Sequence, residues 1–237
     1  GRLRPVGAEA LAELGALFAE SASPAELEHY DRLIARAATV DQRIPLLYRR
    51  LFGPAPDAVE LLVERPGPSG ALGAALARWE AGLPTCVLIR GDRGAGKRTI
   101  VRRSIAHLEE QGVDLVWLRL TSAFDDERAV ATALGELAGL GEAETFDAIA
   151  ERLAASEVRR LVVVENGERL FKRTPGGHRE VERFLAAMRK AAARTMWIVL
   201  ASEAGATLVD SVLGMSERFD ATITVGPMSE EEIAAMI

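Results

Sequence analysis

A chain of 237 residues that is 49% hydrophobic and 27% charged has the composition of a folded soluble domain with a core of its own. Its longest apolar run falls well short of the ~20 residues that cross a bilayer, so no membrane partner is indicated. A net charge of −6, with the signs intermixed, argues against broad nucleic-acid binding, which needs clustered Lys and Arg. The single cysteine, Cys86, cannot form an internal disulfide; it predicts a reducing, cytoplasmic setting, and its place in TCVLIRG predicts packing rather than reactivity. The start at Gly1 without Met and the stop at Ile237 inside a helical pattern predict a piece of a longer protein.

Taken in chain order, residues 1–52 carry helical spacing only. Leu11, Leu14 and Phe18, then Leu27, Tyr30 and Ile34, then Ile44, Leu47 and Leu51 recur at intervals of three and four. The Pro- and Gly-rich stretches Gly53 to Pro56 and Pro66 to Gly70 read as linker and turn. From there apolar runs alternate with helical patterns. Leu72, Ala75, Leu76 and Trp79 mark a helix, Cys86 to Ile89 a strand, and Ile100, Val101, Ile105 and Leu108 a second helix. Further strands are expected at Leu115 to Leu120, Leu161 to Val164, Trp197 to Ala201 and Thr222 to Val225. Helices are expected around Ala129 to Leu140, Phe146 to Leu153, Val181 to Met188 and Leu208 to Met215. Five apolar strands alternating with helices predict an α/β fold with a parallel sheet covered on both faces. Ser229 with Glu232 three residues on has the spacing of a capping box and opens a last helix, 229–237.

The segment GDRGAGKRT, Gly91 to Thr99, joins the first strand to the second helix. Gly91, Gly96 and Lys97 meet the pattern Gly-x-x-x-x-Gly-Lys, with Gly94 and Ala95 inside it. Glycines allow the backbone to wrap a polyphosphate, amides at the helix start face its oxygens, and Lys97 supplies a cation. The segment therefore predicts a phosphate-binding loop for a nucleoside triphosphate within a domain 53–228. One position departs from the pattern: a Ser or Thr hydroxyl that would ligate Mg²⁺ is replaced by Arg98, and Thr99 comes one residue late. A one-residue shift turns a side chain about 100° around a helix, so Thr99 does not substitute directly. It could donate to the α-phosphate instead. For Arg98 two readings stay open, neutralising phosphate charge without metal and pointing to solvent.

The strand RRLVVVEN ends in Glu165 and Asn166, at the sheet edge where open α/β folds place ligands. An acid there can hold the hydration shell of Mg²⁺, which assigns Glu165 as the metal residue. Asn166 cannot take a proton, although its amide can orient a water. Glu168 is a neighbouring alternative as base.

With LLVERPGPSGALGAALARWEAG, GDRGAGKRT, VVVENGERLF, WIVLAS and SERFDATITVGPMSEEEI in order, residues from about Leu61 to Ile237 resemble the AAA+ and STAND P-loop ATPases, on the origin-recognition-like side of that class. The resemblance implies a three-layer sandwich with strand order 5-1-4-3-2 and a helical lid, truncated here. It implies ATP or ADP as ligand, with Mg²⁺. Leu62 and Val63 would lie on the adenine, with Arg65 near the motif's arginine and Glu64 where its glycine belongs. Ser202 would read the γ-phosphate. Arg218 would be an arginine finger acting on a neighbouring subunit, hence a homo-oligomer or a partner protein; an ordinary surface arginine is the other reading. The implied function is a nucleotide-dependent switch or assembly ATPase, and the alternative is an inactive ATPase relative that serves as a scaffold. His29, His107 and His178 lack metal spacing, and Trp79, Trp117 and Trp197 read as packing. The pairs at Arg49, Arg102, Arg159 and Lys172 read as solvated faces, and Pro175 to Gly177 as a loop.

Overall fold

The computed structural model describes residues 65–121, 127–171, 178–230 and 232, all within the compact unit Leu62–Ile237. The expected N-terminal helices, Leu62, Val63 and Glu64, the loop at Pro175 to Gly177, and His29, Arg49, Arg50, Lys172 and Arg173 lie outside these residues. So does most of 229–237.

Five parallel strands form one sheet: β1 (Cys86–Gly91), β2 (Asp114–Arg119), β3 (Arg160–Glu165), β4 (Thr195–Ser202) and β5 (Ala221–Val225). Their order is β2-β3-β4-β1-β5, which read from the other edge is 5-1-4-3-2. Alternate residues of each strand feed two separate cores. Val87, Ile89, Leu161, Val163, Ile198 and Leu200 pack on one face against α1 (Pro66–Glu80) and α2 (Lys97–Glu110). Leu88, Val162, Val164, Trp197 and Val199 pack on the other, against α3 (Glu127–Leu137), α4 (Phe146–Ala155), α5 (Arg179–Ala191) and α6 (Glu203–Leu213). The sheet is therefore the middle of three layers. Each fully buried Val, Leu or Ile contributes about 1.5–3 kcal/mol, and β3 is buried from end to end.

The register fixes where the site can lie. Gly91 pairs with Ser202 on one side and Val225 on the other, and Glu165 pairs with Arg119 and Leu200. Arg119, Glu165, Ser202 and Gly91 thus emerge along one edge, at the carboxyl ends of the strands.

Several expectations need correction. Pro66 to Gly70 is the first turn of α1 rather than a linker, because proline at the helix start has a preset φ and no amide hydrogen to satisfy. Helix α6 begins at Glu203, five residues before the expected Leu208, since Ser202 ends β4 and at once caps the helix. Trp117 is only half-buried, with the Arg102 guanidinium 5.5 Å from its ring centre. Arg159 lies 4.2 Å over Trp79, and Arg160 is buried, donating to Asp114 and Ser156. These basic pairs are therefore not simple solvated faces. Among the described residues, no helix is long and apolar enough to cross a membrane.

Candidate nucleotide site

The loop between β1 and α2 takes its shape from its glycines. A Cβ on Gly91 would stand 2.2 Å from the Val225 carbonyl oxygen, so only glycine lets β5 close beside it. Gly94 and Gly96 adopt φ values of 86° and 90°, which strain any residue with a side chain. Gly96 caps α2 without a side-chain bond, and the first helical bond is donated by Ile100 to Gly96. The amides of Lys97, Arg98 and Thr99 precede it, so they present an N-terminal donor cluster to any anion in the loop.

Lys97 lies across this loop. Its Nζ donates to the carbonyls of Gly91 at 2.6 Å and Asp92 at 2.9 Å. Burial lowers its pKa, while the charges of Glu168, Asp92 and Glu203 pull the other way. Glu168 and Glu203 each hold one buried carboxylate oxygen without a hydrogen-bond partner, and the Glu168 stem packs against Gly205.

Across from the loop stands Glu165, buried at the end of β3. Arg98 grips it with both arms of its fork, Nε to Oε1 at 2.5 Å and Nη2 to Oε2. Arg119 adds a third bond, Nε to Oε2 at 3.0 Å. Burial raises the Glu165 pKa, but the hydrogen bonds and charges of the two arginines outweigh it and hold the carboxyl below its ordinary range. Arg98 is thus bound to the acid while remaining partly exposed. Nothing in its own neighbourhood of sequence announces the pairing with Glu165, 67 residues away. Arg119 was missed altogether; the signal was its place as the last residue of DLVWLR, level with Glu165 in the neighbouring strand.

The arrangement does not fit a magnesium ion. Mg²⁺ requires near-octahedral oxygen ligands at ~2.0–2.1 Å. Here both oxygens of the assigned acid accept from guanidinium donors, and one of these two guanidiniums, that of Arg98, belongs to the helix position where a hydroxyl would sit. Glu165, expected to hold the hydration shell of the metal, is here a carboxylate clasped by two arginines.

The other candidates are placed as follows. Asn166 has φ 60° and donates its side-chain amide to the Leu120 carbonyl at 2.9 Å, tying the ends of β2 and β3. Ser202 is level with Gly91, and its Oγ accepts from the Gly205 amide at 3.2 Å. Arg218 precedes β5 and is exposed at the opposite edge of the sheet; its carbonyl accepts from Arg189. Arg65 is buried beside the loop, donating to the carbonyls of Ala95, Gly226 and Pro227, each at 3.0 Å, and to Glu232 at 3.1 Å. Glu232 in turn exchanges bonds with Ser229, completing the expected capping box. Cys86 is buried, and burial pushes its thiol up to about 12, which leaves it inert.

Strand order, two helical layers and a glycine loop at the carboxyl edge give a three-layer α/β fold. That fold is shared with solved structures of origin-recognition proteins. The Orc1 protein of Aeropyrum pernix, solved in complex with DNA, superimposes with a TM-score of 0.59 at 21% identity, over 79% of this chain and 51% of that one. The Orc2 protein of the same organism, solved in ADPNP–ADP complexes, gives 0.57 at 14% identity over 79% and 55%. Cdc6p of Pyrobaculum aerophilum gives 0.57 at 16% identity over 76% and 50%. The likeness is one of fold, and this chain spans about half the length of those proteins. The sequence matches no family model and no curated protein.

Proposed function

We propose that this chain is a nucleotide-binding switch module that holds ATP or ADP in the loop Gly91 to Thr99. The observation that carries the reading is Lys97 lying across a glycine loop at a helix start, ready to exchange two carbonyl acceptors for phosphate oxygens. Lys97 would bind the terminal phosphates, the amides around Gly96, Arg98 and Thr99 the inner ones, and Val63 the adenine. Arg65 supports coupling: one guanidinium joins the loop at Ala95, the exit of β5 and Glu232 in the last helix. A change at the phosphates would reach that helix and, through it, whatever it is attached to.

Ser202 would sense the γ-phosphate, a role supported by its standing level with Gly91. Arg218 at the far edge could act only on another subunit's nucleotide, which is the ground for proposing a homo-oligomer or partner protein. A reducing cytoplasmic location, and no role for nucleic acid, complete the proposal. The second reading, a relative of the ATPases that binds nucleotide without hydrolysing it, is favoured by the arginine clasp on Glu165 and by the tethered amide of Asn166.

The test is a titration of ATP into wild type and Lys97→Ala. Binding by the first and its loss in the second supports the proposal; equal affinities would sink it.

A further inference from the structure

We infer that Arg98, locked on Glu165, stands in for the divalent cation, so that the site takes a metal-free nucleoside di- or triphosphate; this inference rests on the nucleotide reading above. The charge balance supports it. Lys97, Arg98 and Arg119 set against Glu165 leave two positive charges, as many as a lysine, a dication and one carboxylate would leave. The fixed guanidiniums therefore present a polyphosphate with the same net charge as a metal-loaded site.

Geometry adds to the charge. A guanidinium carries five N–H donors in a rigid fork that suits phosphate oxygens, and Arg98 uses Nε and Nη2 on Glu165 while Arg119 uses Nε. The carboxylate fixes both forks at the sheet edge, beside the loop to which Arg98 belongs. Glu165 acts here as a positioning residue. For a metal to enter, its hydration shell would have to displace three charge-assisted bonds and leave two arginines facing a dication. Both changes oppose it.

The consequence is a reversal of the usual cofactor requirement. Mg²⁺ in solution chelates free ATP, so it should compete with this site instead of assisting it.

Isothermal titration of ATP into wild-type protein, in EDTA and then in excess Mg²⁺, tests the inference. Affinity in EDTA should equal or exceed affinity in Mg²⁺. Arg98→Ser, which leaves Glu165 held by Arg119 alone and restores a hydroxyl after the lysine, should lose about tenfold or more in EDTA, and Mg²⁺ should restore it. Wild-type binding about tenfold tighter with Mg²⁺ would overturn the inference while leaving the nucleotide reading standing. Absence of binding in both buffers would overturn both. Should Arg98→Ser fail to fold, the wild-type comparison alone decides.

Discussion

The two walls of the site follow opposite logics. The loop wall, Gly91 to Thr99, keeps every feature that holding phosphate needs: glycines in conformations that strain other residues, a helix start, and a lysine over the loop. The facing wall has the right position and the wrong electrostatics. Its acid is buried and clasped by Arg98 and Arg119, and its neighbouring amide is tied to Leu120. In the reading proposed above, holding phosphate draws on the loop glycines and Lys97, whereas metal-assisted chemistry would draw on Glu165, which two arginines clasp.

The largest effect expected is on the loop wall. Lys97→Ala removes two charge-assisted contacts from a bound triphosphate, each worth about 1.5–3 kcal/mol, so ATP affinity should fall about a hundredfold or more by calorimetry. Thermal stability should barely change. Arg98→Ser comes next: metal-free affinity should fall about tenfold, and a Mg²⁺ requirement should appear.

Glu165→Gln sharpens the contrast from the other side. It leaves two guanidiniums without an anionic partner and should destabilise the fold by about 1–3 kcal/mol near neutral pH, read by denaturant unfolding. The sign of its pH dependence follows from the depressed carboxyl. The wild-type advantage is fully present above the ordinary value of 4.5 and is lost as the pH falls through the lower folded value. The two unfolding curves should therefore converge in acid.

Ser202→Ala separates a cap from a sensor. Loss of the bond from Gly205 should cost about 1 kcal/mol of stability. A purely structural cap would leave the preference for ATP over ADP unchanged; a γ-phosphate sensor would shift it.

The architecture was legible because its signals are local and periodic. Each buried strand is a short apolar run, and the glycine loop sits between one such run and a helix. What the sequence could not disclose is contact between distant positions. Arg98 and Glu165 are 67 residues apart, and Arg119 and Glu165 are 46 apart; the parallel register brings Arg119 level with Glu165, and Arg98 reaches it from the start of α2. The same holds for Arg65, whose bond to Glu232 reaches across 167 residues. Local pattern misled where one residue serves two elements. Proline and glycine at 66–70 resembled a linker although they begin α1, and Ser202 both ends a strand and starts a helix.

The central claim is that this protein holds nucleotide without turning it over through a metal at Glu165. The most direct test loads wild-type protein and Glu165→Gln with γ-labelled ATP, adds Mg²⁺ at a level that leaves the site occupied, and follows the label. Label retained as intact ATP on both proteins is the predicted result. Release of labelled phosphate by wild type, abolished by Glu165→Gln, would contradict the account.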